Sequence, residues 1–289
     1  MTTKILITGL HSYVGSSVRR WLEGFPGQYD VTGLSLRSSD WRSKSFSGFD
    51  SVLHVAGIAH VSADPQMERR YMAVNRDLAA ETARKAKDEG AGQFIFMSSA
   101  IVYGDSASIG KDKTVTFGTA PAPTNFYGQS KLEAEGRLRA LGYNSFKVAI
   151  LRPPMIYGPG CKGNFPILVK LAERLPLFPD VDNQRSMLFI DNLCEFIRLL
   201  IDNQESGLFF PQNDKYVSTS HVVRLIAQAK GKNIRLTRLF NPALRLLARC
   251  TPLVDKAFGN FRYDQSMSRY KQNYIVADLE QSVKKSVIG

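Results

Sequence analysis

Ile5-Leu6-Ile7-Thr8-Gly9-Leu10-His11-Ser12-Tyr13-Val14-Gly15 holds an apolar run, a glycine turn and the start of a helical pattern. Lys4–Thr8 reads as a buried strand and Tyr13–Leu22 as the helix that follows it. Glycines in such a turn let the backbone approach an anion closely. The helix start then offers it unpaired N–H groups and the positive end of the dipole. Gly9, Ser12, Tyr13, Val14 and Gly15 are therefore the candidate seat for the pyrophosphate of a dinucleotide.

Outward from this turn, strand-length apolar runs alternate with helix-length segments. Tyr29–Leu36, Ser51–Val55, Gln93–Met97 and Phe146–Leu151 read as strands, and Met67–Glu89 and Phe126–Leu141 as helices. That alternation predicts an α/β fold, a Rossmann-type parallel sheet wound on both faces. Past Arg152 the pattern changes, because Pro153, Pro154, Pro159, Pro166, Pro176 and Pro179 break the chain into loops around short helices. We place a dinucleotide-binding domain at 1–152, with 186–202 returning to it through a helix near Phe189–Ile201. Residues 153–289 then form a smaller, mainly C-terminal substrate-binding lobe.

Cofactor preference is read about 20 residues past the last glycine of such a turn, at the end of the second strand. A carboxylate there would hold the ribose 2′-OH of NAD. The stretch Leu34-Ser35-Leu36-Arg37-Ser38-Ser39 has none, and Ser35 with Arg37 suits a 2′-phosphate, so NADP(H) is favoured over NAD(H). The reading of Arg37 as an exposed loop arginine, with either cofactor accepted, stays open.

Lys131 follows Tyr127 by one helical turn, so phenol and ammonium leave from one face. A nearby cation favours the phenolate and brings a group of pKa about 10 closer to neutral proton exchange. Changing the oxidation state of a carbonyl carbon requires such exchange at its oxygen. The Pro-rich stretch 119–124 stops regular structure just before this helix.

The chain has 289 residues, 44% of them apolar, enough for a sizeable core. Cys161, Cys194 and Cys250 lie scattered without a C-x-x-C, and four histidines lack regular spacing; no metal site or disulfide framework is expected. The start reads as a strand and not a signal peptide, and no apolar run approaches the roughly 20 residues of a membrane span. A cytoplasmic protein is expected. The net charge of +12 is uneven: 215–289 holds 14 Lys/Arg against 4 Asp/Glu. An anionic substrate, an anionic membrane surface or a merely solvated basic face would each account for it. Nucleic acid is the weakest partner, since no recognition-helix, RNP-like or finger pattern is present. Pro242–Arg249 has the pattern of a short basic amphipathic helix suited to peripheral membrane contact.

With His54-Val-Ala-Gly57, Met97-Ser-Ser-Ala-Ile-Val-Tyr-Gly104 and Leu151-Arg-Pro-Pro-Met-Ile-Tyr-Gly-Pro-Gly160 in order around these motifs, the chain resembles the extended short-chain dehydrogenase/reductases. Within them it is similar to the nucleotide-sugar epimerase/dehydratase/reductase family that includes UDP-glucose 4-epimerase. Ser12 departs from that family's Gly-x-x-Gly-x-x-Gly at the middle glycine. The resemblance implies a catalytic Ser99, Tyr127 and Lys131, with Ser98 the lesser neighbour. It implies cofactor contacts at Ala56, Gly57, Asn75, Tyr127, Lys131 and Pro154, with Lys131 on the nicotinamide ribose, and substrate contacts at Ser99, Asn164, Phe178, Arg185 and Arg262. Phe178 would sandwich the base, while Asn164, Arg185 and Arg262 would meet the diphosphate. His54 and His60 are further candidates, with a structural role the commoner reading. Met155 stands where the 4-epimerases carry a sugar-contacting Asn. A homodimer through the helices at 67–89 and 126–141 is also implied.

The function expected on this resemblance is NADPH-dependent reduction of a 4-keto nucleotide sugar, of UDP-4-keto-6-deoxy-amino-sugar type, in surface polysaccharide synthesis. An NAD-dependent UDP-sugar 4-epimerase is the alternative, and a non-catalytic NAD(P)-binding sensor or scaffold is a second. A 4,6-dehydratase is disfavoured, because Ala100-Ile101 stand where those enzymes carry an Asp-Glu pair.

Overall fold

Six parallel strands organise the first of two units in the computed structural model, which describes residues 2–59 and 64–288. This unit comprises Met1–Gly104, Pro121–Pro153 and Leu193–Pro211. It runs β1 (Thr3–Thr8), α1 (Tyr13–Glu23), β2 (Tyr29–Leu34), β3 (Ser51–His54), α2 (Met67–Tyr71), α3 (Leu78–Asp88), β4 (Gln93–Met97), α4 (Phe126–Leu141), β5 (Lys147–Leu151) and β6 (Gly207–Phe209). The strand order is β6-β5-β4-β3-β1-β2, with every pair parallel. Parallel neighbours need long crossovers, which the helices supply.

The inner strands β1, β3, β4 and β5 are buried on both faces, as a sheet covered on both sides requires. On one face Leu6, Val52, Phe94, Phe96, Val148 and Ile150 form a core with Ala79, Ala83 and Ala86 of α3 and Ala134 and Leu138 of α4. Large strand side chains against alanines let the helices approach closely and fill the layer. The alternate residues Ile5, Ile7, Leu53, Ile95, Ala149 and Leu151 are equally buried on the opposite face. There α1 buries Val18 and Leu22, and Trp21 donates to Glu195 of the helix Ile190–Asp202 at 3.0 Å.

The chain leaves β1 for β2 on one side and returns to β3 on the other. Thr8 pairs in register with Leu34 and with His54, so Gly9, Ser35 and Val55 all emerge at one sheet edge. This is a topological switch point, where open parallel sheets bind ligands.

Three features differ from the sequence reading. The helix expected over 67–89 is interrupted by a π-helical segment, Met72–Asp77, which rotates Asn75 into the interior. The strand β6 was not expected, because it is only three residues long. Asp105–Ala120 belongs to the second unit: its strand Thr114–Val115 pairs with Arg262–Tyr263, and Asn260 bonds Lys111 and Ala107.

The second unit also contains Pro154–Asn192 and Gln212–Gly289. It is built from helices and three short parallel strand pairs. Two of these are Met155–Tyr157 with Met187–Phe189 and Leu177–Pro179 with Arg235–Thr237. Its core centres on Tyr157, whose ring stacks on Phe165 at 5.1 Å and whose hydroxyl bonds Ser282 and Asn213.

Candidate active site

Gly9 sits at φ +84°, and a Cβ on it would lie 2.7 Å from the backbone N of Ala56, so β1 and the loop after β3 can converge only on glycine. A Cβ on Gly15 would lie 2.6 Å from the Gly9 carbonyl, so the first turn of α1 rests directly on the glycine turn. Ser12, in place of a middle glycine, is the N-cap of α1: its Oγ accepts from Gly15 N at 3.1 Å. The hydroxyl proton stays available to an anion. Tyr13 and Val14 are the first two helical residues. Ser35 and Arg37 lie just past the end of β2, where Ser35 Oγ accepts from Arg37 N at 3.4 Å. The exposed Arg37 side chain has no ion pair among the described residues, whereas Ser38 donates to Asp40 at 3.1 Å. An uncluttered helix start at the switch point beside an unpaired arginine fits a dinucleotide.

Asn125 caps α4, its Oδ1 accepting from Gly128 N at 2.9 Å. A Cβ on Gly128 would lie 2.9 Å from the Ile101 carbonyl and from Pro123 Cβ, so glycine lets α4 pack onto the turn after β4. That contact brings Tyr127 to Ser99. Ser99 Oγ accepts from Ile101 N at 3.3 Å, and its side chain is close enough to the Tyr127 phenol to favour the phenolate. Ser98 points elsewhere: it is buried and donates to Glu135 at 2.5 Å.

The expected acidification of Tyr127 by Lys131 is corrected here. Burial raises the Tyr127 phenol, the Ser99 side chain opposes that rise, and the nearby Tyr71 adds to it. One turn of spacing puts both groups on one face, but the Lys131 ammonium turns to the Met97 carbonyl at 2.7 Å and lies 4.6 Å over the Phe96 ring. Burial lowers the lysine itself to about 8. The phenol is therefore protonated at neutral pH, a proton donor.

Asn75 locks this corner. From the π-helical segment its Oδ1 accepts from Ile58 N at 2.8 Å, and its Nδ2 donates to the Ile58 carbonyl and to Ser130 Oγ, each at 3.1 Å. A Cβ on Gly57 would lie 2.9 Å from Asn75 Oδ1 and 3.3 Å from Lys131 Nζ. The Ala56-Gly57 loop, Asn75 and Lys131 thus meet at the carboxyl ends of β3 and β4. Pro154 is buried just after β5. His54 belongs to the core: Nδ1 pairs with Thr8 Oγ1 at 2.9 Å, its ring stacks on Phe94, and burial with the Lys131 charge lowers it to about 3. His60 lies outside the described residues.

Two neighbours escaped the sequence reading. The Tyr71 ring lies 6.3 Å from that of Tyr127. Behind the serine loop, Glu135 accepts from Arg152 Nε at 2.9 Å and Nη2 at 2.5 Å, and Arg152 Nη1 donates to the Tyr103 hydroxyl at 2.6 Å. Glu135 continues the face of Tyr127 and Lys131 by one more turn, and that periodicity was legible.

In the second unit the candidate substrate residues differ among themselves. Asn164 is exposed in the first turn of the helix Asn164–Arg174, after Gly163 at φ +91°. Phe178 is corrected: it is 3% exposed and packs on Phe258 at 5.8 Å, so its ring has no open face for a base. Arg185 Nη1 donates to the Lys256 and Gly259 carbonyls at 2.8 and 3.2 Å, and its charge meets no carboxylate among the described residues. Arg262 pairs with Asp112 at 2.8 Å and lies over Tyr216.

Residues 5–210 match the family model described as the NAD dependent epimerase/dehydratase family. UDP-glucose 4-epimerase of Vibrio cholerae is 37% identical over 191 residues, 63% of this chain and 57% of that protein. N-acetyl-alpha-D-glucosaminyl-diphospho-ditrans,octacis-undecaprenol 4-epimerase of Escherichia coli O157:H7 is 25% identical across 94% of this chain and 86% of its own length. Among solved structures, a dTDP-4-dehydrorhamnose reductase of Clostridium acetobutylicum superposes with a TM-score of 0.76 at 17% identity, covering 99% of each chain. That likeness concerns the fold.

Proposed function

This chain belongs to the NAD-dependent epimerase/dehydratase family of nucleotide-sugar epimerases and reductases, and we propose that it is an NADPH-dependent reductase of a 4-keto nucleotide sugar. The observation that carries this reading is the half-buried Tyr127 phenol, set beside Ser99 by the packing of Gly128 on Ile101, with burial keeping its proton on. A nicotinamide held there would supply the hydride that the carbonyl carbon takes up. Tyr127 gives its proton to the oxygen that becomes the alcohol, a transfer that general acids accelerate. Ser99 holds that oxygen within reach. Lys131, anchored on the Met97 carbonyl beside Gly57, would hold the nicotinamide ribose.

Gly9, Ser12, Tyr13, Val14 and Gly15 hold the pyrophosphate in this reading, Ala56, Gly57, Asn75 and Pro154 shape the nicotinamide end, and Ser35 and Arg37 take the 2′-phosphate. The unpaired Arg37 supports NADP(H). Arg185, whose charge no described carboxylate balances, is the best placed of the substrate candidates for a diphosphate, and a UDP-4-keto-6-deoxy-amino sugar of surface polysaccharide is the substrate we favour. The Vibrio cholerae relative favours the second reading, a UDP-sugar 4-epimerase using the same residues.

The test mixes purified protein with NADPH and a UDP-4-keto-6-deoxy sugar and follows the nicotinamide absorbance. Stoichiometric loss supports the reductase. Tightly held NAD with interconversion of UDP-sugars and no net consumption overturns it in favour of the epimerase, and cofactor binding without turnover leaves only the sensor. Arg37→Ser should weaken NADPH about tenfold or more, as loss of a charged hydrogen bond does, and leave NADH unchanged.

A further inference from the structure

Two seven-residue helices, Asn241–Leu247 and Pro252–Phe258, follow one another in the second unit, and the first of them has no buried residue. Around them Leu239 is 85% exposed, Leu253 68%, Leu246 64%, Leu247 49% and Phe240 45%. Single exposed apolar residues are ordinary, but five large ones crowded into fifteen positions point to a partner.

Charge decides which. From Lys215 to Val254 the sequence has eight Lys/Arg and no Asp/Glu. Arg245 and Arg249, one helical turn apart between the exposed leucines, are themselves exposed and have no ion pair among the described residues. A two-fold interface centred here would press two copies of the same uncompensated positive surface together. Nucleic acid would not repay exposing leucines, because backbone and base contacts call for polar and aromatic groups. An anionic bilayer satisfies both features: leucine and phenylalanine enter the acyl boundary while arginine guanidiniums stay among the phosphates.

We propose that Leu239–Leu253 is a peripheral membrane-docking surface for anionic lipid, a site separate from the catalytic residues and independent of which reaction they perform. The apolar side chains supply insertion and Arg245 and Arg249 supply the preference for negative headgroups.

The test is co-sedimentation of the full chain with vesicles of phosphatidylcholine alone or mixed with phosphatidylglycerol. Binding is expected to the mixed vesicles and to weaken with salt. The variant Arg245→Gln/Arg249→Gln should lower affinity about twenty-five-fold, at roughly fivefold per charge. Leu246→Glu/Leu253→Glu should abolish binding. Because all four positions are exposed, both variants should keep the parent melting temperature and dinucleotide affinity, which separates lost docking from lost folding. Equal binding to both vesicle types, or none to the mixed ones, overturns the proposal. So does a dimer in light scattering that Leu246→Glu/Leu253→Glu converts to monomer while vesicles are ignored.

Discussion

In the first unit Asn75, Ser99, Tyr127 and Lys131 converge from two helical segments and the turn after β4 onto one edge of a parallel sheet. In the second, Phe178 and Arg262 are drawn into their own unit's packing, and Arg185 holds helix-end carbonyls. Side chains at the ends of regular elements inherit their direction from the backbone, so spacing in sequence becomes placement in space. Side chains in short strands and loops take direction from whatever packs beside them.

The largest expected effect tests the first half of this contrast. Tyr127→Phe should lower turnover roughly 10²- to 10⁴-fold, the range of a lost general acid, with dinucleotide affinity unchanged in a titration. Retained turnover would remove the phenol from the chemistry.

Next is the buried pair behind the serine loop. Glu135→Leu strands the Arg152 charge, which is 3% exposed, and should cost about 3–5 kcal/mol in urea unfolding. Arg262→Ala, at a pair whose aspartate is 58% exposed, should cost about 0–1 kcal/mol. Equal costs would erase the distinction between the two units.

Phe178→Ala sharpens the second half. A core role predicts about 3–5 kcal/mol of lost stability. A raised KM at unchanged stability would instead return the ring to base recognition.

A further effect is one of pH. Lys131 sits at about 8 in the folded chain against an ordinary 10.5, so between those values the unfolded chain holds more protons. Stability should therefore rise with pH across that window, and the rise should vanish in Lys131→Met. Turnover that depends on the ammonium should fall above about pH 8.

The glycine turn, Ser99 and the Tyr127–Lys131 face were legible because each is a local pattern: a strand end, a positive-φ turn, one helical repeat. Asn75's supporting role came from the resemblance alone, since the π-helical segment that carries it and its bonds to Ile58 and Ser130, 17 and 55 residues away, leave no local pattern. Phe178 shows the opposite failure. Its position in a motif carried an expectation that Phe258, 80 residues on, took away.

Periodicity and turn chemistry were enough to specify a parallel sheet, its switch point and the residues gathered there, because both act over a few neighbouring bonds. Folding alone decided the ionisation of the site. A phenol's proton affinity depends on burial and on where an amine four residues away finds its hydrogen bond, and that partner, the Met97 carbonyl, comes from a strand 34 residues upstream.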